Sequence, residues 1–314
     1  MKIIEDNSTV KSSGYTIATI GYFDGIHLGH KKIINELVKQ AKQKDGTSIL
    51  ITFWPHPRTV LEANSEIEFL LSNSEKIKFL EEEGLDLIYL IEFTWEFSKI
   101  EANDFIQNYL VEKLDIDKLV IGYNHNFGYK REGNYNFLEK NREKFEFDIQ
   151  EIKKKEIDEN LNISSSDIRK EVLSGNIDQA NLMLGYNFFI SGTVIRGDGI
   201  GKKIGFPTAN ISIEEDEKIL PGNGVYACKV QFENKINSGM LNIGFRPTVD
   251  GKERRIEIHI FGINYDFYGK NLKIILINKI RDEIKFNSLD ELKDQLRKDK
   301  IESNKVLNNE KVRN

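Results

Sequence analysis

The chain has 314 residues, a formal net charge of −5, 39% hydrophobic residues and 30% charged residues. This composition is typical of a soluble globular protein, and the length allows two domains with full cores. The negative charge argues against a broad nucleic-acid surface, and the single cysteine, Cys228, excludes an intramolecular disulfide and a multi-cysteine metal site. We interpret Cys228 as a small core residue of a strand.

No apolar run approaches the roughly 20 residues that span a bilayer. The first six residues, Met1 to Asp6, contain no apolar signal core. The sequence therefore predicts a cytoplasmic enzyme with no membrane or nucleic-acid partner, as a monomer or a weak homo-oligomer.

The first half of the chain alternates strand-like and helix-like stretches. Short apolar runs rich in β-branched residues predict strands at 16–20, 48–53, 87–91 and 118–122. The stretch 31–44 predicts a helix, because its apolar residues have the spacing of one buried face: Ile33, Ile34, Leu37, Val38 and Ala41. Alternating elements with fully apolar strands favour a doubly wound α/β domain around a parallel sheet.

Two sequence signatures predict helix starts in this half. Ser72-x-x-Glu75 and Ser98-x-x-Glu101 both have the spacing of a capping box. The second is predicted to open a helix that buries one face, formed by Phe105, Ile106, Tyr109 and Leu110.

The pattern changes near residue 185. Strand-like runs separated by turn residues follow at 188–196, 224–232, 255–261 and 272–279. This pattern favours an antiparallel barrel or sandwich. A terminal helix is predicted from Ser288, with a frayed tail after about Ser303. We expect domains at 1–184 and 185–314, joined directly.

The most informative motif is Gly-Tyr-Phe-Asp-Gly-Ile-His-Leu-Gly-His at 21–30. It lies where a predicted strand leads into a predicted helix, and such a junction directs backbone N–H groups toward phosphate. His27 and His30 are suited to donating hydrogen bonds to a phosphoryl group as its negative charge grows. The alternative is that both are surface histidines of a Gly-rich turn.

Three further segments follow predicted strands or open a helix in the first domain. Thr52 to Arg58 contains two prolines beyond a strand end, where ligands bind in open α/β sheets. Ile121 to Gly133 also follows a strand. Ser164-Ser165-Ser166-Asp167-Ile168-Arg169 opens a helix that is predicted to end at Gly175. Taken alone, this last motif is better explained as an ordinary serine N-cap.

The second domain carries a basic, Gly-rich stretch at 196–203, followed by Gly-Phe-Pro-Thr-Ala-Asn at 205–210. Glycines allow close backbone approach to phosphates, and Lys202 or Lys203 would add charge. The spacing matches neither the common phosphate loop nor a dinucleotide fingerprint. On the residues alone, the segment could be a turn of a β domain, and Glu257, which alternates with Ile256 and Ile258, could be a solvent-facing strand residue.

In this order, the motifs resemble the bacterial bifunctional riboflavin kinase/FAD synthetase family. The resemblance extends from about Gly14 to about Ile301. It implies that the C-terminal domain phosphorylates riboflavin to FMN and that the N-terminal domain transfers AMP from ATP to FMN, giving FAD and pyrophosphate. It also implies Mg²⁺, with ATP as co-substrate and FMN and FAD as intermediate and product.

The resemblance assigns residues in the N-terminal domain by their match to the family's motifs. His27, His30 and Arg169 are expected to act in catalysis. The expected nucleotide-binding residues are Gly21, Phe23, Asp24, Gly25, Gly29, Ser164, Ser165 and Ser166. The expected flavin-binding residues are Pro55, His56, Pro57, Arg58, Asn124 and Phe127.

It assigns residues in the C-terminal domain in the same way. Glu257 is expected to take the proton from the riboflavin 5′-hydroxyl. Thr208 and Asn210 are expected to supply oxygens near Mg²⁺, which prefers hard oxygen ligands. Gly201, Lys203 and Thr208 are expected to bind nucleotide, and Arg281 to bind flavin.

Three positions depart from the family's usual pattern. Asn124 and His125 replace an aspartate and a phenylalanine, and Gly262 replaces an aspartate. An amide at 124 hydrogen-bonds but cannot balance a cation. Two alternatives remain at the level of sequence. One is a single-function cytidylyl- or adenylyltransferase with an accessory β domain, and the other is a flavin-binding or regulatory protein whose catalytic sites have decayed.

Overall fold

A computed structural model describes residues 1–6, 8–10, 14–62, 67–153, 163–197, 201, 204–213, 217–248, 251–263 and 265–309. The chain forms two compact units. The first comprises Met1–Ile67 and Leu71–Ser164, and the second comprises Glu68–Leu70 and Ser165–Asn314.

The first unit is built on a six-stranded parallel sheet with the strand order β1-β4-β3-β2-β5-β6. Its strands are β1 (Lys2–Glu5), β2 (Thr16–Ile20), β3 (Thr47–Trp54), β4 (Leu87–Glu92), β5 (Lys118–Gly122) and β6 (Asp148–Ile152). Every pairing is parallel. The expected doubly wound sheet is confirmed, and β1 and β6 are the strands that sequence reasoning missed, because they are short and partly polar.

Helices cover this sheet. They are α1 (Leu28–Gln43), α2 (Pro57–Leu61), α3 (Asn73–Glu82), α4 (Ala102–Phe105, continued by π-helical turns over Ile106–Lys113) and α5 (Tyr135–Lys140). The predicted apolar face of α1 is buried, because removing its side chains from water stabilises the helix against the sheet.

The two predicted capping boxes behave differently. Ser72 and Glu75 form one at the start of α3. The box at Ser98 and Glu101 is wrong: α4 starts at Ala102, and the Ser98 hydroxyl donates to the Trp95 carbonyl instead. A local 3₁₀ turn at Phe97–Lys99 uses Ser98 before the helix begins.

The second unit is a closed antiparallel barrel with the strand order β10-β11-β8-β7-β12-β9. Its strands are β7 (Phe189–Ile195), β8 (Ala209–Ser212), β9 (Gly224–Phe232), β10 (Lys235–Thr248), β11 (Gly251–Ile260) and β12 (Asn271–Arg281). Closure leaves no free sheet edge. The barrel is one of the two predicted architectures.

The described part of this unit contains the helices α6 (Ser165–Ser174), α7 (Ile177–Leu184) and α8 (Leu289–Asn309). Asn181 of α7 is buried, and its side chain donates to the Leu276 carbonyl and accepts from the Phe188 N–H. The predicted fraying after Ser303 is wrong. Helix α8 continues to Asn309, because Ser303 and Leu307 are buried against the barrel unit.

Candidate active sites

Three of the segments singled out from the sequence meet at one edge of the parallel sheet. Strands β3, β2 and β5 are neighbours, and they end at Trp54, Ile20 and Gly122. Because the strands are parallel, the segments that follow them lie at the same edge. The chain also reverses its direction of strand addition between β2 and β5, which is the position where open α/β sheets bind ligands.

The backbone after β2 makes an unusually tight turn. Phe23, Gly25 and Ile26 have φ angles of 57°, 77° and 35°. Left-handed backbone is costly for Phe and for a β-branched residue such as Ile, and such strain is concentrated at functional sites. A Cβ on Gly21 would lie 2.7 Å from the Phe23 ring, so this glycine is needed for the ring to pack there.

His27 and His30 form a stacked pair at the start of α1. Their ring centroids are 3.7 Å apart with an angle of 18° between the ring planes, and the Phe23 ring stacks on His30 at 4.6 Å. The His30 N–H donates to Nδ1 of His27 at 3.4 Å, so His27 caps the helix. With Nδ1 accepting, a neutral His27 carries its proton on Nε2.

Both imidazoles are neutral near pH 7. Burial lowers the pKa of His27 to about 4. Burial also lowers the pKa of His30 well below its usual range, and repulsion from His27 in its protonated form and from Lys76 lowers it further. Neutral imidazoles act as hydrogen-bond donors at a phosphoryl group without the solvation cost of a buried cation.

Asp24 and Lys76 are buried beside this turn. The Asp24 carboxylate accepts from the Leu71 N–H at 3.4 Å. Sequence analysis expected Asp24 at the nucleotide site but missed Lys76. The available signal was a lysine four residues before Leu80 on the inward face of α3, where an apolar residue would be expected.

A mainly apolar cavity of about 640 Å³ opens at the same end of the first unit. Of the expected flavin-binding residues, Pro57, Arg58 and Phe127 line it. It is also lined by further aromatic residues that were not among the expected flavin-binding residues: Phe53, Phe93, Trp95, Phe97, Phe105 and Tyr129. The size and the aromatic walls suit a flat, fused-ring ligand.

The other expected flavin-binding residues have different surroundings. The His56 ring packs edge-on against Tyr22 at 4.2 Å, and its Nδ1 accepts from the Arg58 N–H. Pro55 precedes this turn through a cis peptide bond. Asn124 is exposed, and its carbonyl accepts from the Asn126 side chain.

His125, a departure from the family pattern, lines the aromatic cavity. Its ring stacks with Phe127 at 6.0 Å, as an aromatic side chain at this position would. Burial, with a smaller effect from Arg131, lowers the pKa of His125 to about 4. The imidazole is therefore neutral and replaces a phenylalanine in packing.

The serine motif opens helix α6 as predicted. Ser164 immediately precedes the helix, and the Arg169 guanidinium donates to the Ser166 hydroxyl at 3.5 Å. Ser165, Ser166 and Arg169 belong to the second compact unit, whereas Ser164 belongs to the first.

The barrel unit holds a cavity of about 300 Å³ that brings together most of the residues expected there. Gly201, Thr208, Asn210, Glu257 and Arg281 all line it. Glu257 and Asn210 are paired across strands β11 and β8. The expected nucleotide-binding residue Lys203 lies outside the described residues.

The Arg281 guanidinium in this cavity is engaged by helix α8. Its Nε and Nη2 donate to the Asp299 carboxylate at 2.8–3.1 Å, and Asp299 is 1% exposed. Leu292 and Leu296 of the same helix form an apolar wall of the cavity. Arg281 therefore lines the cavity and, through its ion pair with Asp299, also holds the apolar wall of α8 in place.

A second barrel cavity, of about 320 Å³, lies on the other side of Thr208, which lines both. The Arg196 guanidinium lies 5.1 Å from the Tyr268 ring centroid in this second cavity. Two cavities that share one hydroxyl residue are suited to two substrates whose reacting ends meet there.

His259 connects the strand of Glu257 to the segment of Thr208. It is buried, and its Nδ1 lies 2.8 Å from the Pro207 carbonyl, to which it donates as a neutral imidazole. Burial lowers its pKa. Sequence analysis missed His259, although it lies two residues from Glu257 and therefore on the same side of β11.

Two kinds of feature are absent from the described residues. These residues contain no helix that is long and apolar enough to cross a membrane. They also contain no cluster of three or more His, Cys, Asp or Glu side chains able to hold a metal ion.

The fold and these cavities define a two-unit phosphate-transfer protein, with a nucleotidyltransferase-like sheet and a β-barrel. Family models agree: one described as FAD synthetase matches residues 9–167, and one described as riboflavin kinase matches residues 184–307. The chain belongs to the bifunctional riboflavin kinase/FMN adenylyltransferase family, as its motifs predicted. ATP and flavins are the substrates of the two reactions.

Relatives of that name cover nearly the whole chain. The protein from Buchnera aphidicola subsp. Schizaphis graminum is 38% identical over 95% of this chain and 96% of its own length. The one from Escherichia coli K12 is 34% identical over 91% and 90%. A crystal structure titled a macrolide-efflux protein from Streptococcus pneumoniae has the same fold, with a TM-score of 0.88, 30% identity and coverage of 96% and 98%.

Proposed function

We propose that the two reactions take place at two separate sites. The parallel-sheet unit would join FMN to AMP from ATP, and the barrel unit would phosphorylate riboflavin. The observation that carries this proposal is that each unit has its own cavity and its own groups suited to one reaction. The first unit has the neutral histidine pair at the same sheet edge as the aromatic cavity, and the second has Glu257, Thr208 and Asn210 in the wall of its cavity.

In FMN adenylylation, an oxygen of the FMN phosphate attacks the α-phosphorus of ATP. A new P–O bond forms, the bond between the α-phosphorus and its bridging oxygen breaks, and pyrophosphate leaves. His27 and His30 would donate to the α-phosphoryl oxygens as charge builds there. Ser164 to Ser166 and Arg169 would hold the pyrophosphate, because a guanidinium fork matches phosphate oxygens. The FMN phosphate is already ionised, so no general base is needed.

The aromatic cavity would hold the isoalloxazine ring during this reaction. Its stacked rings offer flat apolar surface, and Arg58 provides a cation at its rim, where it is ion-paired with Glu62. Because the cavity and the histidine junction both follow the carboxyl ends of neighbouring strands, the ring and the reacting phosphate would lie at the same edge of the sheet.

In riboflavin phosphorylation, Glu257 would accept the proton of the 5′-hydroxyl while that oxygen attacks the γ-phosphorus of ATP. ADP leaves as the bond to the γ-phosphorus breaks. Leu292, Leu296 and Phe206 give the cavity that contains Glu257 an apolar wall for the flavin ring. The adjoining cavity beyond Thr208 would hold ATP, so that the hydroxyl and the γ-phosphate meet at Thr208.

The residues present fit a magnesium ion carried by ATP. Thr208 is exposed and lines the same cavity as Asn210, and Mg²⁺ commonly takes few protein oxygens beside phosphate and water. When bound, the ion would neutralise phosphate charge.

We also propose that the activities divide at 184/185, although α6 and α7 pack with the barrel unit. The enzyme would act in the cytoplasm without nucleic acid, as a monomer or weak homo-oligomer.

One experiment distinguishes the proposed function from its rivals. The purified protein is incubated with Mg²⁺ and ATP together with either riboflavin or FMN, and the flavins are separated by chromatography. We expect FMN and FAD from riboflavin, and FAD from FMN. FAD from FMN without any FMN from riboflavin would indicate a single-function adenylyltransferase, and no product from either would indicate a flavin-binding protein.

A further inference from the structure

Lys76 is a buried cation of the first unit that neither proposed reaction uses. Its side chain is only 5% exposed, although lysine is rarely buried without a carboxylate partner. Within the described residues, its ammonium group has no carboxylate within ion-pair distance. Lys31, which follows His30, differs because its ammonium is paired with Glu83 at 3.4 Å.

The hydrogen bonding of Lys76 is incomplete. An ammonium group has three N–H donors. Among the described residues, the acceptor of Lys76 is the Tyr22 carbonyl at 3.5 Å, and the ammonium also lies 4.0 Å from the Tyr22 ring centroid. A buried cation with unused donors indicates a place for an anion.

The position of Lys76 indicates which anion. Tyr22 belongs to the turn between β2 and the histidine pair, and the charge of Lys76 is close enough to lower the pKa of His30. Lys76 also lies in the first turns of α3, whose N-terminal end favours negative charge over positive charge. A phosphate group bound beside the ammonium would offset the unfavourable positive charge both near His30 and near the start of α3.

We propose that Lys76 is a further phosphate-binding residue of the adenylyl-transfer site, and that its ammonium group donates to the triphosphate of ATP bound at the turn 21–30. This inference rests on the proposed function of that turn. The phosphate of FMN has the same chemistry, so the experiment must separate the two substrates.

The protonation of the Lys76 ammonium group makes the inference testable by pH. Burial lowers the pKa of Lys76 to about 8, while the Asp24 carboxylate opposes the shift. The protonated form binds phosphate, so its population falls as pH rises through about 8. The other titratable groups that face Lys76 are Asp24, Tyr22, His27 and His30, and the pKa values of both histidines are lowered.

The experiment compares Lys76→Met, Lys76→Arg and the control Lys78→Met, an exposed lysine of the same helix. FAD formation from FMN and ATP is measured across pH 6–10, and FMN formation from riboflavin in the same preparations reports intact protein. A charge-assisted hydrogen bond predicts a loss of about 10- to 100-fold in kcat/KM for ATP in Lys76→Met. The KM for FMN and the kinase activity should stay near the wild-type values.

The pH profile separates binding from a structural role. The wild-type kcat/KM for ATP should fall above about pH 8, because this parameter reports the free enzyme. Lys76→Arg should keep most of the activity and lose this alkaline decline, since arginine remains charged. An alkaline decline that persists in Lys76→Arg, a change confined to the KM for FMN, or normal ATP kinetics in Lys76→Met would overturn the inference. Absence of FAD synthesis in the wild type would instead refute the proposed function.

Discussion

His27 and His30 stack with their ring centroids 3.7 Å apart, and the backbone N–H of His30 donates to Nδ1 of His27. The His27 side chain therefore caps the start of α1 and keeps its Nε2–H available to a ligand. The His30 ring is held between the rings of His27 and Phe23. Tight packing of this kind fixes hydrogen-bond donors before the substrate arrives, which is what transition-state stabilisation requires.

Replacing either histidine should impair one reaction only. His27→Ala or His30→Ala is expected to lower the turnover of FMN adenylylation by roughly 10²–10³-fold, because each would remove a donor that the proposed mechanism places at the reacting phosphate. His27→Asn is a useful comparison, since it keeps a side-chain acceptor for the helix cap. Steady-state assays with FMN or riboflavin measure the two reactions separately, and a histidine variant with normal FAD synthesis would refute the role.

Glu257→Gln should have the opposite selectivity. The amide keeps the shape and the pairing of β11 with β8 but does not accept a proton, and loss of a general base typically lowers the rate by about 10²–10⁴-fold. The variant should leave riboflavin unphosphorylated and still convert added FMN to FAD. A kinase loss below about tenfold would mean that Glu257 is only a strand residue of the cavity.

The ion pair between Arg281 and Asp299 should stabilise the barrel unit and its flavin cavity. Asp299→Asn leaves the guanidinium without its charge partner, and we expect a loss of about 3 kcal/mol in the free energy of unfolding, with a raised KM for riboflavin. Residual kinase activity after incubation in urea measures the stability.

A matched control for this pair exists on the same helix. Asp294 and Arg297 form an exposed ion pair at 2.8 Å, and Asp294→Asn should change stability by about 0–1 kcal/mol. Equal effects of Asp294→Asn and Asp299→Asn would show that burial of the Arg281 pair has no energetic importance.

The parallel-sheet unit should lose stability in mild acid. The pKa of His27 is about 4 in the folded protein against 6.5 without burial, so the unfolded state takes up a proton first. The contribution of His27 to the free energy of unfolding is therefore fully present above pH 6.5. It is lost as the pH falls toward 4, and the loss amounts to about 3 kcal/mol. The lowered pKa values of His30 and His125 act in the same direction.

Tryptophan fluorescence provides the measurement, because both tryptophans, Trp54 and Trp95, lie in the first unit. Urea unfolding at pH 7 and at pH 4.5 should give a clearly lower midpoint in acid for the wild type. His27→Asn should reduce this difference. If the variant shows the same pH dependence as the wild type, burial of His27 does not set the acid sensitivity.

The sequence by itself determined the fold class and the family, and it predicted most of the residues that we propose for both sites. Apolar strands that alternate with one-faced helices require a covered parallel sheet, and the motif at 21–30 carries enough unusual residues to predict a phosphate-binding turn. The later strand runs predicted a β domain, since their turns and spacing are local properties. These features depend on residues near one another in the chain.

Only the tertiary structure decided how distant residues share a site. Lys76 and His259 carry no local motif, and they matter because folding places them against Tyr22 and Pro207. The expectation that Arg281 binds flavin came from its motif, whereas its ion pair with Asp299 of helix α8 depends on the fold. The start of α4 and the end of α8 were likewise set by burial against other elements, because packing energy outweighs local capping signals.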